Sequence, residues 1–86
     1  MAINFQYIIT DNMGLHARPA GLLAKKAKAL SSTVTISCRG TGCNARKVIQ
    51  LMLLEAKKGD TLDVTVSGEA EVSEANELNE FLGEVL

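Results

Sequence analysis

The one histidine of the chain, His16, lies in the run Gly14-Leu15-His16-Ala17-Arg18-Pro19-Ala20. A helix is predicted to begin near Ala17, because Pro19 fits a first helical turn, where its missing N–H has no partner to lose. His16 then stands at the cap. The first-turn amides of Ala17 and Arg18 lack intrahelical acceptors, and the helix dipole adds partial positive charge, so this end suits an anion. Arg18 adds a guanidinium shaped for phosphate, and Gly14 lets the backbone turn sharply just before the histidine. An imidazole so placed can accept a phosphoryl group. It titrates near neutrality, and the positive helix end favours the neutral, nucleophilic ring. The added phosphoryl group would face the amides of Ala17 and Arg18 together with the Arg18 side chain. Most lone histidines ahead of a helix are only surface caps, so the position by itself leaves both readings open.

The other reactive side chains add little. Cys38 and Cys43 are too few for a disulfide scaffold, and with His16 they match no common zinc spacing and lack a fourth ligand. They read as two reduced thiols in or beside a hairpin. No metal site and no cofactor is expected.

The elements that must hold His16 can be read from periodicity. Ile3, Phe5, Tyr7 and Ile9 alternate with Asn4, Gln6 and Ile8, which predicts a strand with one face mostly buried. A polar loop follows from Thr10 to Gly14. Ala20, Leu23, Ala24, Ala27 and Leu30 form one apolar stripe of the first helix, which Ser31-Ser32 ends. Val34, Ile36 and Cys38 alternate with Thr35 and Ser37, Arg39-Gly40 reads as a tight turn, and a short strand follows over Thr41 to Asn44. Val48 to Leu54 is expected to be a short helix, Lys57 to Asp60 a turn, and Thr61 to Ser67 a fourth strand. The last helix has Val72, Ala75, Leu78, Leu82 and Val85 as its apolar stripe. Glu74, Glu77, Glu80 and Glu84 should point mostly outward, and Ser73 or Glu71 should serve as its cap. The order β-α-β-β-α-β-α suits a two-layer α+β domain.

With 86 residues and no evident linker, residues 1–86 are expected to form a single domain. Hydrophobic residues make up 47% but aromatics only 3%, so the core must be aliphatic. No stretch is apolar enough to span a bilayer, and the N-terminus has no basic segment before its apolar run, which together point to a cytoplasmic protein. The net charge of −1 argues against general nucleic-acid binding. Its distribution is uneven: up to Lys58 there are nine basic residues against two acids, a net +7, and from Gly59 onward eight acids and no base. Such a split is either a pair of compensating solvated faces or a basic docking face for an acidic partner.

The heptamer GLHARPA resembles the active-site signature of the HPr family, the histidine phosphocarriers of the bacterial phosphoenolpyruvate-dependent phosphotransferase system. The resemblance covers essentially the whole chain. It includes the element order, the single histidine at the start of the first helix, the Lys-Gly pair before the last strand and the Ser-Gly after it. It implies an open-faced β-sandwich: a four-stranded antiparallel sheet in the order 1-4-2-3, covered on one face by three helices. It also implies phosphorylation of His16 on Nδ1 by enzyme I, with Arg18 as the active-site arginine, and onward transfer to the IIA domains of sugar permeases. Such a protein is a stoichiometric carrier rather than an enzyme, and is expected to be a monomer.

The second helix carries only one polar residue, Gln50, between Val48 and Leu54. A short helix on a two-layer domain buries one stripe, so some of Val48, Ile49, Leu51 and Met52 should be exposed, either in a docking patch or against a deeper core. The resemblance favours docking, with Ala17, Gly21, Lys25 and Lys28 of the first helix and Lys47, Val48, Ile49, Leu51 and Met52 at the second. Arg46 and Lys47 oppose the dipole where they stand. Lys47 occupies the position of the regulatory serine of many Gram-positive members, so kinase control at that point is not expected. Two further readings stay open: a carrier of a regulatory, nitrogen-type branch, and a binding module that docks without phosphoryl transfer.

Overall fold

The computed structural model describes residues 2–86. Its elements run β1 (Ala2–Ile8), α1 (Ala17–Ala29), β2 (Thr33–Cys38), β3 (Thr41–Asn44), α2 (Val48–Leu53), β4 (Thr61–Ser67) and α3 (Glu71–Val85). Period-two alternation sets the sheet. In β2 and β4, Val34, Ile36, Cys38, Leu62, Val64 and Val66 are buried, while the residues between them are more open. The register puts Ile3, Phe5 and Tyr7 opposite Val66, Val64 and Leu62, and Val34 and Ile36 opposite Val66 and Val64. One face is therefore apolar across all three strands, aliphatic on β2 and β4 and partly aromatic on β1. The pairing is antiparallel throughout, in the order β1-β4-β2-β3.

The three helices close over that face. Leu23 of α1, Leu51 of α2, and Leu78 and Leu82 of α3 are all at 0% exposure. The predicted stripe of α1 is buried along its whole length, from Ala20 to Leu30. On the other face the side chains are mostly polar, Ile8 excepted, and some pair across strands. Asn4 Nδ2 donates to Thr65 Oγ1 at 2.9 Å, and Gln6 Nε2 donates to Asp63 Oδ1 at 2.8 Å.

The β2–β3 hairpin turns on Arg39 and Gly40, both at positive φ (50° and 82°), as a two-residue turn of this hand requires. Arginine is unusual there. Its guanidinium holds it by pairing with Asp60 and donating to the carbonyls of Leu54 (2.8 Å) and Glu55 (3.2 Å) beyond α2. Arg46 is also tied down, donating to the Ala27 and Leu30 carbonyls at 3.4 and 3.2 Å. It thus satisfies the C-terminal end of α1, where positive charge agrees with the dipole. That contact accounts for a basic residue so close to the start of α2.

The third helix departs from the sequence expectation in three ways. Val72 is 62% exposed rather than part of the buried stripe, because it lies in the first turn before the helix meets the sheet. Neither Ser73 nor Glu71 is the cap. Ala70 takes that position, the Ser73 hydroxyl donates to the Ala70 carbonyl, and the Glu71 carboxylate accepts the Gly68 amide. Glu74 does not face solvent alone: its carboxylate accepts the Ser31 amide (3.0 Å), the Ser32 amide (2.8 Å) and both serine hydroxyls. Those donors, the Ser32 hydroxyl first, draw its pKa down to about 2.

Candidate functional site

His16 is the N-cap of α1, with extended backbone angles (φ −91°, ψ −170°), and its side chain makes no cap hydrogen bond. Its carbonyl accepts the Ala20 amide at 2.9 Å, the first bond of the helix. The ring is therefore free of a structural task and is 36% exposed. Arg18 lies one residue into the helix, exposed, and makes no ion pair among the described residues. Both line a depression of about 210 Å³, completed by Asp11, Pro19, Leu22, Glu84 and Val85. Sequence reasoning singled out His16 and Arg18 but missed the other members. Asp11 lies in a loop without periodicity, and Glu84 comes from the far end of the chain.

The loop carrying the histidine is strapped on two sides. Gly14 has φ +66°, and a Cβ there would lie 2.4 Å from the Ala56 carbonyl oxygen and 2.8 Å from Lys57 Cα. Only glycine lets the loop approach so closely, and the approach allows the Leu15 amide to donate to that same Ala56 carbonyl at 2.9 Å. On the other side, the carbonyl of Leu86 accepts the amides of Thr10 and Asp11, each at 2.7 Å, and the Thr10 hydroxyl at 2.8 Å. Within the loop, the Asp11 carboxylate accepts the Met13 amide at 3.0 Å and stands 3.9 Å from His16 Nε2.

The residues expected at a docking face divide into groups. Lys28 of α1 and Lys47, Val48 and Ile49 of α2 line one broad depression of about 660 Å³, with Asn44, Arg46 and Gln50. Ile49 is 68% exposed and Met52 38%. Ala17 is exposed and Gly21 partly so on the same helix as the histidine. Lys25 instead lines a separate depression with Leu22, Lys26, Ala29 and Phe81, between α1 and α3. Leu51 must be removed from the surface set. At 0% exposure it is a core residue, because it sits on the inward face of α2 with Leu54. Leu53, 72% exposed, takes its place on the outer face. Lys47 is the N-cap of α2 and makes no side-chain cap bond.

The cysteines lie away from this chemistry. Cys38 is buried, and Cys43 is half-buried with its thiol pKa pushed up by burial. Among the described residues no group of three or more His, Cys, Asp or Glu side chains is placed to hold a metal ion. Among those residues no helix is long and apolar enough to cross a membrane.

Fold and site together define a small α+β domain that presents one histidine at an anion-favouring helix end. Comparison with known proteins narrows that class. The family model described as the PTS HPr component phosphorylation site matches residues 3–84. A phosphocarrier protein HPr of Borreliella burgdorferi is 39% identical over 75 residues, 87% of each chain. The solved histidine-containing phosphocarrier protein of Mycoplasma superposes with a TM-score of 0.85 at 32% identity, covering 91% of this chain and 89% of that one. An HPr dimer from Thermoanaerobacter tengcongensis gives 0.73 at 26% identity, covering 91% and 90%. The chain belongs to the HPr family, the phosphocarriers of the phosphotransferase system.

Proposed function

We propose that His16 accepts a phosphoryl group on Nδ1 from enzyme I and passes it to the IIA domains of sugar permeases, one group per molecule per cycle. The observation that carries this is the partly exposed His16 ring at the N-cap of α1, without a cap bond of its own and beside Arg18, which makes no ion pair among the described residues. The phosphoryl charge would meet the first-turn amides and the guanidinium, which stabilise it without enclosing it. Among the described residues the depression holds no second acid–base group at hydrogen-bonding distance from the ring, so the partner's site completes the chemistry. This is the behaviour of a carrier, working as a cytoplasmic monomer.

Docking involves the surface formed by Ala17, Gly21 and Lys28 of α1 with Lys47, Val48, Ile49 and Met52 at α2, extended by Leu53. The lysine rim makes association sensitive to salt, and the apolar centre holds the complex. Lys47 offers no hydroxyl, so this surface stays basic and is not switched by an HPr serine kinase.

The test is incubation with phosphoenolpyruvate, magnesium and a bacterial enzyme I, followed by intact mass measurement. A gain of one phosphoryl group is expected, labile in acid and stable in base. It should be absent in His16→Ala, with the fold retained. Label persisting in that variant would refute the assignment. Sedimentation of the labelled protein checks the monomer.

A further inference from the structure

We infer that Asp11 is a positioning residue for His16, acting on the ring nitrogen opposite the one that carries the phosphoryl group. The inference rests on the phosphoryl-carrier reading above.

The carboxylate stands 3.9 Å from Nε2. That is too long for a hydrogen bond, so its influence is that of a charge. The charge is fixed independently of the histidine. The Asp11 amide donates to the Leu86 carbonyl, its carbonyl accepts the Gly14 amide at 3.1 Å, and its Oδ2 accepts the Met13 amide. The turn therefore aims Asp11 at Nε2 before any partner arrives.

A neutral imidazole carries its proton on one nitrogen or the other. A negative charge beside Nε2 favours the proton there and leaves the Nδ1 lone pair free. In the transfer, that lone pair forms the N–P bond. The bond from phosphorus to the donor atom breaks, and the donor keeps its electron pair. Nε2 retains its proton, so the phosphorylated ring is an imidazolium, and its positive end faces Asp11. In the onward step the N–P bond breaks, the electron pair returns to Nδ1, and the ring leaves as neutral imidazole. A ring protonated on Nε2 is the better leaving group, and that proton sits beside the Asp11 charge. Two other charged groups line the depression. Glu84 from α3 acts in the same sense as Asp11, and Arg18 from α1 in the opposite sense. Of the two carboxylates, Asp11 is the one within 4 Å of a ring nitrogen.

The test is the pH profile of spontaneous phosphoryl loss from the purified phosphoprotein. Asp11→Asn keeps an oxygen for the Met13 amide and removes the charge; Asp11→Ser does the same with a hydroxyl and guards against a folding defect in the first variant. In both, the midpoint of the profile should move to lower pH by about half a unit, the size an exposed ion pair supports. Glu84→Gln should move it less. Profiles of both Asp11 variants superimposable on wild type would overturn the inference, as would an upward shift. Labelling with phosphoramidate in place of enzyme I separates the two levels. If enzyme I fails to label the wild type, the carrier reading falls, while the chemically labelled protein still reports on Asp11.

Discussion

Replacing Gly14 by alanine should damage the protein more than the same change at any other glycine. The residue is buried, at φ +66°, in the loop that ends at His16. An alanine there meets two costs. Holding a non-glycine residue at left-handed backbone angles costs about 1–2 kcal/mol. The new Cβ would stand 2.4 Å from the Ala56 oxygen and 2.8 Å from Lys57 Cα, both backbone atoms that cannot rotate away. Relief requires the loop to lift, which breaks the bond from the Leu15 amide to Ala56 and loses about 0.5–1.5 kcal/mol more. The sum is about 1.5–3.5 kcal/mol, which for a domain of this size lowers Tm by roughly 6–28 °C. Circular dichroism melts at pH 7 measure it directly. Gly21→Ala gives the contrast. A Cβ at Gly21 meets nothing within 4 Å, and the residue is helical, so alanine should raise stability by about 0.5–1 kcal/mol. A Gly14→Ala protein that melts within about 3 °C of wild type would show that the strap on Ala56 is not rigid, and the reasoning would fail.

Three further outcomes follow from contacts outside the site. Glu74 has its carboxyl held down to about 2, below the usual 4.5, so its stabilising effect is complete above the ordinary value and is lost as pH falls through about 2. Glu74→Gln should therefore lower the melting temperature at pH 7 and flatten the decline between pH 5 and 2; an unchanged acid slope would deny Glu74 this role. Lys47→Ser should add about 0.5–1 kcal/mol, because a serine N-cap can accept a first-turn amide of α2 and Lys47 accepts none. A clear loss in a urea titration would count against that. Arg46→Ala leaves the Ala27 and Leu30 carbonyls without their side-chain donor and should cost about 1–2 kcal/mol, with faster amide exchange in the last turn of α1. Uniform exchange across α1 would contradict it.

Alternation and helical stripes were enough to locate β1, β2, β4, α1 and α3: Val34, Ile36, Leu62, Val64 and Val66 repeat at two, and Ala20, Leu23, Ala24 and Ala27 at three and four. Strand order is different. Nothing in the periodicity of β1 says that it pairs with β4, and the order came from the resemblance carried by GLHARPA. Helix α2 shows where pattern fails: almost every residue is apolar, so the sequence holds no phase, and Leu51 was placed outside while Leu53 was overlooked. The site was legible at His16 and Arg18, whose types and spacing carry chemistry. Asp11 and Glu84 were not, since only the fold of the loop and the end of α3 bring them to the ring. Glu74 was misread for a similar reason. Its partners Ser31 and Ser32 lie more than forty positions earlier, beyond any local pattern.

The separation of charge between the helices has an electrical consequence. Helix α3 carries five glutamates and no basic residue, whereas α1 and the start of α2 carry lysines and arginines; Lys26 and Glu77 meet at the seam. The molecule is close to neutral as a whole, at −1, yet it is a strong dipole across a body 33 × 23 × 19 Å. A distant charged surface exerts little pull on such an object, but a nearby one exerts a torque. At physiological ionic strength the field decays over about 8 Å, well short of the molecule's narrowest dimension. Beside an acidic surface, rotation into register would thus be confined to the final approach, with the lysine-bearing side turning toward that surface and α3 away from it.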